Sequence, residues 1–170
     1  MKNPDVILEA CRIAGIKAVM VGPYKIDDAN KTWKGSDFGW YLPPHEILSH
    51  PNAVFVGQLA AKEVRDAMSG ASMFINSSNF ESFGLAVYEA AAAGLPLCLP
   101  NLGTFDSFRR CALFHEPRDA EGLANNMKHY IKNKKKGNTF SSAARKVAKK
   151  LDYPELLKEY KSFYDEFSKK

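Results

Sequence analysis

The sequence predicts an α/β fold, a parallel sheet covered by helices on both faces. Five short, mostly apolar runs bounded by Gly, Pro or Asn recur along the chain, and segments with helical spacing lie between them. That alternation joins parallel strands through crossover helices and buries the sheet on both sides. At 170 residues, 45% hydrophobic and 25% charged, the chain has the length for one domain with a sizeable core.

In chain order, a helix is expected over Pro4–Ala14, then a strand in "IKAVMVGP" (16–23). Residues 24–51 have weak periodicity and read as a long connection with one short helix near His45–Ser49. "NAVFVGQL" (52–59) is the second strand, followed by a helix over 61–69. "SMFINSS" (72–78) leads into a helix over 84–93, and "LPLCLP" (95–100) and "ALFHEP" (112–117) are the last two strands. A helix over 120–132 completes a core of residues 2–132, and 133–150 is a basic connection or helix. The segment 151–170 carries an amphipathic helix from Pro154, with Leu156, Tyr160, Phe163 and Phe167 at about helical spacing. The whole reads as a single domain.

Charge and cysteine use narrow the function classes. The net charge of +5 is concentrated late, in "KNKKKGN" (132–138) and "ARKVAKK". Such runs are read first as solvated surface and second as a peripheral contact with anionic lipid. A nucleic-acid partner is not expected, because no aromatic residues interleave with the basic ones. No apolar run approaches the roughly 20 residues that span a bilayer. The N-terminal stretch has no signal-peptide pattern. Cys11, Cys98 and Cys111 are odd in number and widely spaced, as buried thiols of a cytoplasmic protein would be. His45, His50, His115 and His129 lack zinc-ligand spacing, so no metal site is expected.

The chemistry concentrates in "NSSNFESFGLAVYEAAAAGLPL" (76–97). A loop arriving from a strand reaches the N-terminus of the helix that starts near Gly84, where free N–H groups and the macrodipole form an anion cradle. Gly84 permits close approach of a ligand to the backbone, and Ser82 is the expected N-cap. Glu81 and Glu89 flank this cradle. Carboxylates repel phosphate but accept hydrogen bonds from vicinal hydroxyls, so each suits a sugar ring. Glu89 stands about 7.5 Å along the helix from Gly84, and its side chain leans back toward the cradle. A diphosphate between two sugars is the outline of a nucleotide sugar.

The order strand, Ser, Glu81, Phe-Gly-Leu, Glu89-Ala, Gly94-x-Pro96 and strand resembles the donor-binding half of the family-4 (group 1) GT-B retaining glycosyltransferases. Matching order in the flanks extends the resemblance over about residues 2–132. It implies a Rossmann-like sheet, the C-terminal half of a GT-B fold, and a hexosyltransferase serving glycan or polysaccharide synthesis. By resemblance, Glu81 is the catalytic residue, contacting the transferred sugar, and Glu89 holds the nucleotide ribose. Ser82, Phe83, Gly84 and Leu85 face the phosphates or the sugar, Gly57, Gln58 and Leu59 line the nucleobase, and Lys2 neutralises the diphosphate. No cofactor and no metal are implied beyond the nucleotide-sugar donor.

One departure has structural consequences. The family's first strand, ending in an Arg, has no counterpart here, and neither does the acceptor-binding N-terminal domain. The strand at 16–22 is therefore expected to pair directly with that at 72–78 in a five-strand sheet, or another chain fills the gap. The chain alone is expected to be inactive without an acceptor domain or a separate subunit. The alternative is a non-catalytic module that binds a sugar nucleotide or a partner subunit.

Overall fold

The computed structural model describes residues 2–22, 24–27, 32–35 and 50–152, with residues 154, 155, 158 and 161. Its elements are α1 (Pro4–Ala14), β1 (Ala18–Val21), β2 (Tyr24–Asp27), β3 (Thr32–Gly35), β4 (Ala53–Gly57), α2 (Ala61–Gly70) and β5 (Phe74–Ile75). There follow α3 (Leu85–Ala93), β6 (Leu97–Pro100), a 3-10 helix (Gly103–Phe108), β7 (Leu113–His115), α4 (Ala120–Lys132) and α5 (Lys134–Lys149). The five apolar runs are strands, and the basic stretch after residue 133 is α5. The helix expected near His45–Ser49 lies outside the described residues. So does most of the C-terminal helix, of which residues 154, 155, 158 and 161 are helical.

β6 shows how the core is organised. All four of its residues are buried, and strand side chains alternate between faces. Leu97 and Leu99 pack with Val87, Ala90 and Ala91 of α3, with Phe105 and Phe108, and with Ala144 of α5. Cys98 points the other way, among Val6 and Cys11 of α1 and Leu123 and Met127 of α4. Helices therefore cover both faces, α3 and α5 on one side, α1 and α4 on the other. Each fully buried leucine contributes roughly 1.5–3 kcal/mol.

The sheet itself is split, which corrects the expected five-strand arrangement. β1 pairs in parallel with β4, Ala18 opposite Ala53 and Met20 opposite Phe55. β5, β6 and β7 form a separate parallel sheet, with Phe74 opposite Leu97 and Leu99 opposite Phe114. β1 does not pair with β5. Both nonetheless face one helix layer, since Ala18, Met20 and Ile75 share the core beneath α1 and α4. β1 and β5 thus lie beneath one helix layer without being hydrogen-bonded to each other.

On the opposite face of the β1–β4 pair, Val19, Val21, Val54 and Val56 are exposed, Val19 by 62%. The helix α2, which follows β4, buries none of its residues fully. A second correction concerns 24–51: within the expected connection, β2 and β3 form an antiparallel hairpin, Tyr24 opposite Gly35 and Asp27 opposite Thr32. Strands of four residues are too short to show a hydrophobic period in a helix-length window.

Candidate functional site

The loop from β5 to α3 is tied to the start of α1. Ser77, buried, donates through Oγ to the carbonyl oxygens of Lys2 (2.7 Å) and Asn3 (2.9 Å). Asn3 returns two bonds through Nδ2, to Ser77 O (2.8 Å) and Asn79 Oδ1 (2.6 Å). The Ser78 N–H donates to Asn76 Oδ1 (2.8 Å), an Asx turn that bends the chain as it leaves β5. From the far side, Thr104 Oγ1 donates to Glu81 O (2.7 Å). His115, at the end of β7 and 4% exposed, sets Nε2 3.1 Å from Asn76 O and Nδ1 2.9 Å from Glu116 O. A loop bonded from three directions holds its side chains in place.

The result is convergence of charge. The Glu81 carboxylate forms an ion pair with Lys2 Nζ and lies 3.3 Å from Ser78 Oγ, which donates to it. The Glu81 side chain is 13% exposed, that of Lys2 47%. Lys2 precedes α1, and Glu81 precedes α3, so the positive ends of two helices meet here beside a lysine. No side chain caps α3. The N–H groups of Leu85 and Ala86 thus have no side-chain cap and can face an anion, while that of Val87 bonds back to Gly84 O. Lys2 is brought to Glu81, in the loop that continues through Phe83, Gly84 and Leu85.

Glu89 lies one turn along α3. Val87, Ala90 and Ala91 bury that helix, while Leu85, Ala86 and Glu89 share its exposed side. Three- and four-residue spacing makes them neighbours on one surface. Phe83 stacks on Tyr88 at 5.0 Å, and Tyr88 meets Phe108 edge-on at 5.0 Å. This aromatic series fixes the first turn against the 3-10 helix.

The residue that begins α3 is Gly84, not Ser82. Ser82 is exposed, and Gly84 takes the N-cap place at φ 80° and ψ 47°, a left-handed conformation. Its missing Cβ makes room for protein: a Cβ there would stand 2.6 Å from Phe105 Cε1. The α-carbon of Gly84 thus faces the Phe105 ring and not open space. Gly57, Gln58 and Leu59 stand at the carboxyl end of β4, in the other sheet. None of the contacts described above involves them.

Four residues that hold the site were not singled out in the sequence. Asn3 had a local signal, a cap-type residue directly before Pro4. Ser77, Thr104 and His115 had none, because their partners are 23 to 75 positions away. Among the described residues, no group of three or more His, Cys, Asp and Glu is placed to hold a metal ion. No helix among them is long and apolar enough to cross a membrane.

Residues 1–147 match the family described as glycosyl transferases group 1. Sulfoquinovosyl transferase from Arabidopsis thaliana is 26% identical over 138 residues, 78% of this chain and 24% of that protein. Mannosylfructose-phosphate synthase from Agrobacterium fabrum is 38% identical over 72 residues, 41% of this chain and 16% of that one. Among solved structures, the Anabaena protein HepE in complex with UDP-glucose superposes with a TM-score of 0.73 at 17% identity. That superposition covers 99% of this chain and 46% of HepE. The chain thus spans about a quarter of the length of the Arabidopsis relative and under half of HepE. On the extent of the family match, with the same α/β architecture in GT-B structures, the chain belongs to the group 1 glycosyl transferases.

Proposed function

We propose that this chain is the donor-binding half of a retaining hexosyltransferase and takes a nucleotide-diphospho-sugar. The observation that carries the reading is the meeting of Lys2, Glu81 and the uncapped start of α3. The diphosphate sits against the first N–H groups of α3, where Phe83, Gly84 and Leu85 turn into the helix. Lys2 swings from the Glu81 carboxylate to the phosphates, exchanging one anionic partner for another. Glu81 is then free to accept hydrogen bonds from hydroxyls of the transferred sugar. Glu89, exposed on the same helix, takes the ribose hydroxyls. Gly57, Gln58 and Leu59 line the base, and Ser82 assists at the phosphates or the sugar. Charge building on the leaving diphosphate meets fixed dipoles and one ammonium, so the chemistry calls for no metal. HepE, similar in fold, is described in complex with UDP-glucose, in keeping with this donor class.

Transfer needs both substrates held in register, and the residues here address only the donor. We infer an acceptor domain or separate subunit that faces the lip formed by Phe80, Phe83 and Leu85, all exposed. Among the described residues β1 and β5 are not paired with each other, and an extended segment of such a partner seated between them would join the two sheets into one. The setting is cytosolic, with the protein free to approach a membrane surface.

Calorimetric titration with UDP, GDP and ADP, and with their glucose and mannose conjugates, tests the reading. Selective binding of one nucleotide, tighter with its sugar attached, is expected. Folded protein that binds none of them, even after an acceptor half is supplied, would overturn it.

A further inference from the structure

The proposed donor site leaves the strongest charge feature of the molecule unused. Residues 122–151 contain nine Lys and Arg and no Asp or Glu. The whole chain carries only +5, so this stretch is a cationic surface on an otherwise acidic protein. The structure gives it a shape. On α5, Gly137, Ser141, Ala144 and Ala148 are buried. Lys135, Asn138, Thr139, Ser142, Lys146 and Lys149 recur at three- and four-residue steps along the exposed side. Lys134 and Lys136 flank them in the first turn, which holds no acidic residue.

Two features show that this charge is little balanced among the described residues. None of Lys132, Lys134, Lys135 and Lys146 has an ion-pair partner among the described residues. Lys149, at the far end of the stripe, has acidic neighbours in Glu155 and Asp152. In addition, three lysines crowd the N-terminal turn of a helix, where the macrodipole already places positive charge. An external array of anions relieves both. Arg145 is different: it donates through Nε and Nη2 to the carbonyl oxygens of Ala92 (3.1 Å) and Ala93 (3.0 Å) and so anchors α5 to the end of α3.

The chemistry of the stripe selects among anionic partners. Its outward side chains are lysine, serine, threonine and asparagine, with no aromatic platform on which a base could stack. The one aromatic residue of α5, Phe140, turns inward to Tyr130 at 6.4 Å and is covered by Lys136. Large apolar residues are also missing from the stripe, so nothing inserts into an acyl layer. What remains is a flat lattice of ammonium and hydroxyl groups, suited to a plane of phosphate headgroups. We propose that the outer face of α5 docks the protein on anionic membrane lipid by electrostatic adsorption alone. Attachment of α5 to the C-terminal end of α3 places the lipid away from the donor end of that helix. The docked protein keeps its site open to solvent.

The test is co-sedimentation of the purified chain with vesicles of phosphatidylcholine, and of phosphatidylcholine mixed with phosphatidylglycerol. Binding is expected only to the mixed vesicles, and it should weaken steeply as salt is raised. K135E combined with K146E should weaken it by about thirty-fold or more, at roughly tenfold per 1.4 kcal/mol and about 1 kcal/mol per basic residue at the surface. K62E combined with R65E changes the net charge equally on α2 and should leave binding within about threefold of the parent. Both variants alter exposed residues, and a thermal melt confirms that each is folded. Equal binding to both vesicle types would overturn the proposal. So would equal losses in the two variants, or tighter binding to a DNA duplex than to the mixed vesicles at the same salt.

Discussion

Lys2 and Glu81 are 79 positions apart in sequence and share an ion pair where α1 and α3 begin. The lysine is about half exposed, so water screens the pair and its net contribution to stability is under about 1 kcal/mol. Its value lies in placement. Lys2→Ala should leave the urea midpoint nearly unchanged yet weaken nucleoside diphosphate and nucleotide sugar alike, by about tenfold. Glu81→Ala should weaken the nucleotide sugar more than the nucleoside diphosphate, because only the sugar conjugate presents hydroxyls to the carboxylate. Calorimetry on both ligands separates the two roles. Equal loss of both ligands on Glu81→Ala would contradict the sugar-binding role.

Gly84 carries a separate prediction. Alanine there meets a positive φ and a 2.6 Å clash with Phe105. A left-handed residue with a Cβ costs about 1–2 kcal/mol and overpacking about 1–3 more. Gly84→Ala should therefore destabilise by roughly 2–5 kcal/mol in urea unfolding. Adding Phe105→Leu should recover the part due to the clash and leave the part due to the backbone. If the second substitution only adds to the first loss, the contact with Phe105 is not the cause.

The same glycine shows what could be read in the sequence. Its presence at a loop-to-helix junction marked the site, but only the position of Phe105 shows that the absent Cβ makes room for an aromatic ring. The start of α3 near Gly84 was legible because the signals of a helix start are local. β6 was legible because four buried residues in a row mark a strand covered on both sides. The gap between β1 and β5 was legible only as one of two outcomes, direct pairing being the expected one. Strand pairing depends on long-range contacts, such as those that bond the start of α1 to Ser77 and pack α1 against α4, and no local pattern records them. The hairpin of β2 and β3 was missed because four-residue strands carry too little pattern. Ser77, Thr104 and His115 bond to distant backbone, which no periodicity records.

The three cysteines allow a chemical check of the core. All are buried and free, and desolvation raises each thiol, Cys11 from 9.0 to about 11. Ellman's reagent should react slowly with the native protein at pH 8 and titrate three thiols after unfolding. The raised value also fixes the sign of the pH effect. Thiols held protonated in the fold contribute stability that is fully present below the unfolded pKa, and it is lost as pH rises through the folded value. The melting temperature should therefore fall between about pH 9 and about pH 11 for Cys11. Cys11→Ala, melted across that range, should show a shallower fall. An identical slope would mean that Cys11 does not contribute.

His115 links the last strand to the site loop. Its ring nitrogens face two carbonyl oxygens, those of Asn76 and Glu116. A neutral ring has one N–H to share between them, and at 4% exposure little water can substitute. His115→Phe fills the volume but offers no donor, so the buried Asn76 carbonyl loses this partner at a cost of about 1–3 kcal/mol, while Glu116 O keeps the Asp119 N–H. His115→Gln keeps an amide donor and should lose less. Because Asn76 opens the loop that carries Glu81, the phenylalanine variant should also bind the nucleotide sugar more weakly than the glutamine variant. Urea unfolding and calorimetry of the pair measure both effects. If the two variants match in stability and in affinity, His115 acts through its bulk, and the loop is held by the serine and asparagine bonds to α1 instead.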